Sequence, residues 1–85
     1  MAKIGEALAR RLRAAGAEEE LRVLVRLRGE PDRNALMQRG MRVEEVLPEG
    51  RAVTGLATVA LVLELAAEDD VEEIESDAFD PRAQS

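Results

Sequence analysis

Histidine and cysteine are both missing from these 85 residues, and the aromatics amount to one phenylalanine, Phe79. Without cysteine there is no disulfide framework, no thiolate metal site and no thiol nucleophile. Without histidine the commonest general base and the commonest metal ligand are gone together. No His-dependent triad can be built within this chain, so an enzyme is not expected, a hydrolase least of all, and neither is a metal or other cofactor. A net charge of −6 and the want of an aromatic platform argue against a nucleic-acid partner. No apolar run approaches the roughly 20 residues of a membrane span, so no membrane partner is expected either. The opening Met1-Ala2-Lys3-Ile4-Gly5-Glu6 lacks the long apolar core of a secretion signal. As written, the chain is expected in the cytoplasm, unless it is an excised domain of a secreted precursor.

What is present is a hydrophobic fraction of 46%, enough for a folded core, which must be aliphatic. A chain of this length makes one small domain and buries only roughly 60–65% of its unfolded surface. Its charge is polarised. Residues 1–42 hold ten Lys/Arg against six Asp/Glu, and residues 43–85 hold two against twelve. If the two halves pair strand to strand, this polarity becomes cross-strand complementarity rather than a signal for an outside partner.

Two strand–helix–strand units follow one another, the first from Leu21 to about Leu47 and the second from Arg51 to about Ser76. In the first strand Val23, Val25 and Leu27 point one way and Arg22, Leu24 and Arg26 the other, which predicts a sheet with one dry and one wet face. Gly29 and Pro31 end it. Asp32 then caps a short helix stopped by Gly40. The strand Met41–Leu47 buries Val43 and either Val46 or Leu47, and Pro48-Glu49-Gly50 turns the chain. Gly55 in the third strand marks a bulge or a close backbone approach. Thr58 caps a helix from Val59 to Ala67 that is apolar almost all round. Val59, Val62, Leu65 and Ala66 share one face, and Leu61 and Leu63 are left to be covered by another element or by a partner. Glu68-Asp69-Asp70 leads into the last strand, with Val71 and Ile74 inward and Glu73 and Glu75 outward, facing Arg22 and Arg26. The acidic run from Glu68 to Asp80 lacks the spacing of a calcium loop. Ahead of all this, Ile4, Leu8 and Leu12 at four-residue spacing predict an amphipathic helix ending near Gly16, packed on the domain as a lid or attached as an arm.

The doubled unit predicts an α+β, ferredoxin-like βαββαβ fold. Its antiparallel sheet has order 4-1-3-2, with two helices on one face and an extra N-terminal helix. Residues 1–20 form the helix and its connection, 21–77 the ferredoxin-like domain and 78–85 a tail without periodicity.

Three stretches carry a resemblance. These are Leu36-Met37-Gln38-Arg39-Gly40-Met41-Arg42-Val43, Gly50-Arg51-Ala52-Val53-Thr54-Gly55, and Leu65-Ala66-Ala67-Glu68-Asp69-Asp70-Val71-Glu72-Glu73-Ile74-Glu75. In that order they resemble the propeptides of bacterial subtilisin-like serine proteases and the stand-alone inhibitors related to them. In those proteins a helix ending in Leu-x-x-x-Gly feeds a strand. A Gly-containing third strand then precedes a Leu/Ala-rich helix, and a Val-x-x-Ile/Val-Glu strand closes the domain. Lys3-Ile4, the Leu/Arg helix and Arg22-Val23-Leu24-Val25-Arg26-Leu27 also resemble what opens such propeptides. Where the family usually has a Pro-Gly turn before its last strand, this chain has Asp69-Asp70. The resemblance covers roughly Lys3 to Asp77. It implies binding and inhibition of a subtilisin-like protease, and help in its folding. The wet sheet face would dock on the protease, and Asp77, Ala78, Phe79, Asp80, Pro81 and Arg82 would lie in its cleft, with Phe79 either serving as pocket anchor or folding back over the core edge.

Read from the residues alone, the competing function is a non-enzymatic interaction or regulatory module of the same fold. It would form a homo-oligomer through the patch Leu61/Leu63 or through a sheet edge. A small-ligand regulatory domain finds no Gly-rich phosphate loop to support it. Whichever function holds, the aliphatic core dominates stability. Leu65→Ala or Ile74→Ala is expected to cost about 2–5 kcal/mol, read as a fall in the thermal melting midpoint.

Overall fold

The computed structural model describes residues 3–77. Helix α1 (Glu6–Ala14) is followed by β1 (Glu20–Leu27), α2 (Arg33–Gln38) and β2 (Arg42–Leu47). A single 3-10 turn, Pro48–Gly50, leads to β3 (Ala52–Thr58), α3 (Val59–Ala66) and β4 (Val71–Ser76). The strands form one sheet of order β2-β3-β1-β4 with every neighbouring pair antiparallel. This is the expected ferredoxin-like order, with α1 as the added helix.

The alternation in β1 is realised in full: Leu21, Val23, Val25 and Leu27 are buried, while Arg22, Leu24 and Arg26 are half-buried on the opposite face. On the two outer strands the inward residues are three apart rather than two, and each case has a bulge. Between Val43 and Glu45 the register of β2 against β3 slips, which brings Val43 and Val46 to the same core face. That slip turns the half-buried Val46 toward the core and leaves the equally half-buried Leu47 on the other face. The β1–β4 register slips in the same way beside Leu27, letting Val71 and Ile74 both point inward. A bulge inserts one residue into a ladder and so turns a period of two into a local period of three.

Gly55 explains the first slip. A Cβ placed there would overlap the carbonyl oxygen of Arg42, so β2 approaches β3 more closely than any side chain permits. The turn before β3 carries its left-handed residue at Arg51 (φ 52°) and not at Gly50. The helix starts are capped as expected: Asp32 Oδ1 accepts from Ala35 N at 3.1 Å, and Thr58 Oγ1 from Leu61 N at 3.1 Å. Gly40, at φ 107°, supplies the stop after α2.

The N-terminus departs from expectation. Ile4 is not the first turn of a helix but pairs in parallel with Ile74. Ile74 N donates to Lys3 O at 2.8 Å, and Gly5 N donates to Ile74 O at 2.8 Å. The i, i+4 spacing of Ile4 with Leu8 suits a helix, yet the open backbone edge of β4 offers Ile4 hydrogen bonds that a frayed helix end does not. Gly5 is extended, and the helix begins at Glu6. Leu8 then enters the core fully buried, with Leu12 and Ala15 packed against the same cluster, so α1 is a lid. Residues 17–19 continue the attachment: Ala60 N donates to Ala17 O and Val59 N to Glu19 O, both at 3.1 Å.

The close approach at Gly55 makes a sharp prediction. Gly55→Ala is expected to cost about 3 kcal/mol or more, at the upper end of overpacking, because the obstacle is backbone that cannot rotate away. Gly16, with open space around it, is the control: Gly16→Ala should stay within about 0.5 kcal/mol. Urea denaturation of both variants beside the parent measures the difference.

Candidate binding face

Behind the core, the sheet turns a second face outward. The registers place Leu24 beside Thr54, Arg22 beside Leu56 and Arg26 beside Ala52, with Glu45 and Leu47 continuing these rows on β2 and Glu73 and Glu75 on β4. Its middle is apolar or nearly so: Ala52 and Thr54 are buried, and Leu24, Leu47 and Leu56 are half-buried. Charges frame this strip. Arg26 reaches Glu73 at 2.6 Å and Glu75 at 3.9 Å, Arg22 bonds Glu44, and Arg42 reaches Glu20 at 3.1 Å.

The expected pairing of Arg22 and Arg26 with Glu73 and Glu75 therefore holds for Arg26 and not for Arg22. Register is the reason. Glu75 stands opposite Leu24, while the chain opposite Arg22 has reached Asp77, whose N–H donates to Arg22 O at 3.1 Å. Arg22 turns across β3 to the bulged Glu44 instead. The bulge that fits β2 to Gly55 thus also puts Glu44 and Glu45 together along one hollow of the face.

Two hollows meet at Asp77. One, of about 560 Å³, lies over Leu24, Leu47 and Thr54 between Arg22 and the Glu44/Glu45 pair. The other, of about 520 Å³, lies between Arg11, Ala14 and Ala15 of the α1 end and Leu21, Arg22 and Leu56 of the sheet. Of the residues anticipated for target binding, Asp77 ends the β1–β4 ladder at the junction of these hollows. Ala78, Phe79, Asp80, Pro81 and Arg82 lie outside the described residues.

No family model, curated protein or solved structure matches this chain.

The anticipated patch of Leu61 and Leu63 does not form. Leu61 is 5% exposed and part of the core, whereas Leu63 is 54% exposed. Residues two apart on a helix are separated by about 200° around the axis and cannot share a face. Among the described residues no group of His, Cys, Asp and Glu could hold a metal ion. Nor is any helix among them long and apolar enough to cross a membrane.

The face can thus offer an apolar strip of small and medium side chains, ion pairs at its rim and a strand end leading onward. Sequence reasoning reached Leu24 through the alternation of β1, but it did not single out Thr54 or Leu56, and it considered Leu47 only as a buried position. The signal available for them was the same alternation in β3, interrupted by Gly55, and in β2, displaced by the bulge.

The framing ion pairs are solvent-exposed, with about 40% of the Arg26 and Glu73 side chains accessible, so they contribute little to stability. Arg26→Met is expected to cost no more than about 1 kcal/mol in thermal or urea melts, with the difference shrinking in high salt.

Proposed function

We propose that the chain is a non-enzymatic binding protein that engages and inhibits a subtilisin-like serine protease, through the outward sheet face and the segment from Asp77 to Arg82. The observation that carries the reading is a continuity. The β1–β4 ladder runs as far as Asp77, beside an apolar strip framed by exchangeable ion pairs. A ferredoxin-like sheet with one uncovered face suits this role, as does the order of motifs along the chain. The strip would dock on the protease surface and present the following residues as an extended peptide. Such a peptide gains main-chain hydrogen bonds in the cleft while its side chains fill specificity pockets. Phe79, the only aromatic, is the natural anchor.

Titration of a panel of subtilisin-like proteases with the chain, and with a form lacking Ala78–Ser85, tests the proposal. The intact chain is expected to inhibit at least one of them, and the truncated form to be weaker by orders of magnitude while melting as before. Phe79→Ala should cost about 1–3 kcal/mol of binding. Inhibition of none by the intact chain would overturn the proposal in favour of a self-associating regulatory module. Equal inhibition by both forms would move the whole binding surface onto the sheet.

A further inference from the structure

On the dry side of the sheet, helices α2 and α3 leave a gap between them. Helix α2 is short, and beyond it the core is open at Leu27, Leu36, Leu65 and Val71, which floor a hollow of about 150 Å³. Each of these four is at most 8% exposed, so the floor is the wall of the core itself. The lining also includes four acidic residues, Glu30, Asp32, Glu68 and Asp70, against one cation, Arg39. Arg39 is already engaged, bonding Glu68 and lying 3.9 Å from Glu64. The Lys3 ammonium is engaged too, donating to the Glu68 carbonyl. Among the described residues, Glu30 and Asp70 have no ion-pair partner.

We propose that this hollow is a docking site for a lysine side chain of a partner polypeptide. Size argues for a side chain. Sites that enclose a whole ligand run to about 300–1,000 Å³, whereas an apolar cavity of about 150 Å³ takes a benzene-sized group. Polarity argues for an aliphatic stem with a cationic tip, because the floor is aliphatic and the uncompensated charge at the rim is negative. The ammonium is favoured over the guanidinium by arrangement. The two unpaired acidic residues come from the loop after β1 and the loop before β4, so they line the hollow from two separate segments. Three rotatable donors on a point charge suit that layout better than a rigid planar fork. This inference stands independently of the protease reading, since the hollow lies on the helix side of the sheet.

The experiment titrates the intact chain with n-butylammonium, which reproduces the lysine side chain, and with its neutral isostere 1-butanol, following the methyl NMR signals of Leu27, Leu36, Leu65 and Val71. Nα-acetyl-lysine methylamide and its Nε-acetylated form repeat the comparison on the amino acid. Saturable shifts of these methyls are expected in roughly the millimolar range, with each ammonium binding about tenfold more tightly than its neutral counterpart. The double variant Glu30→Gln/Asp70→Asn should lose most of that tenfold preference while melting as the parent does. Ala35→Leu, at an exposed position on the hollow's edge, should block both ligands. Equal binding of butanol and butylammonium would overturn the proposal, as would shifts that never saturate or that survive Ala35→Leu. Binding of butylammonium but not of the lysine methylamide would assign the site to a free amine and overturn the polypeptide partner.

Discussion

The fold depends on the double pairing of β1. This strand bonds β3 along one edge and β4 along the other, and its inward residues Val23 and Val25 are fully buried. With no aromatic in the described core, enclosure rests on closely spaced branched aliphatics, each contributing roughly 1.5–3 kcal/mol when fully buried. In a domain this small the net margin left after conformational entropy is narrow. The central strand therefore has to be satisfied on both edges and on its core face at once. The charge polarity of the chain follows from that placement. The basic first half supplies β1, with Arg22 and Arg26. The acidic second half supplies Glu73 and Glu75 on β4, and Glu44 comes from the start of that half on β2.

Sheet edges are the second constraint, and the chain treats its two edges differently. Lys3–Gly5 lies along β4 and occupies the backbone of Ile74, and Leu8 holds that strap down from inside the core. On the other side, β2 carries a bulge and adjacent glutamates, both of which discourage a second sheet from adding there. These features also shape the outward face. The strap ends beside Glu75, and Arg11 of α1 donates to Ser76 Oγ at 3.3 Å, so α1 borders the place where β4 hands the chain onward at Asp77.

The surfaces of the described residues offer two footholds for recognition. The outward face joins an apolar strip to exposed ion pairs that can be exchanged for a partner's charges at little cost. The helix side carries a smaller acidic-rimmed hollow over the core. These two surfaces differ in chemistry and lie on opposite sides of the sheet, so they suit different groups on a partner or different partners.

By itself the sequence determined the element order, the sheet order, the caps at Asp32 and Thr58, the stop at Gly40 and the inward set of β1. The caps, the stop and the alternation are local, being properties of neighbouring residues, and the sheet order follows from the doubled strand–helix–strand pattern. It also showed that Gly55 was special, and that Val71 and Ile74 were both inward. Only the tertiary structure decided the rest. Val46 rather than Leu47 packs against the core because β2 slips to pass the glycine on β3. Ile4 left its helix for a strand because an edge some 70 residues away needed a partner. Arg22 found Glu44 rather than Glu75 because register, not charge count, sets which side chains meet. Leu61 and Leu63 parted because a helix docked on a sheet has one buried side, however apolar its surface. These outcomes depend on which backbone lies next to which, and that is settled when distant segments pack.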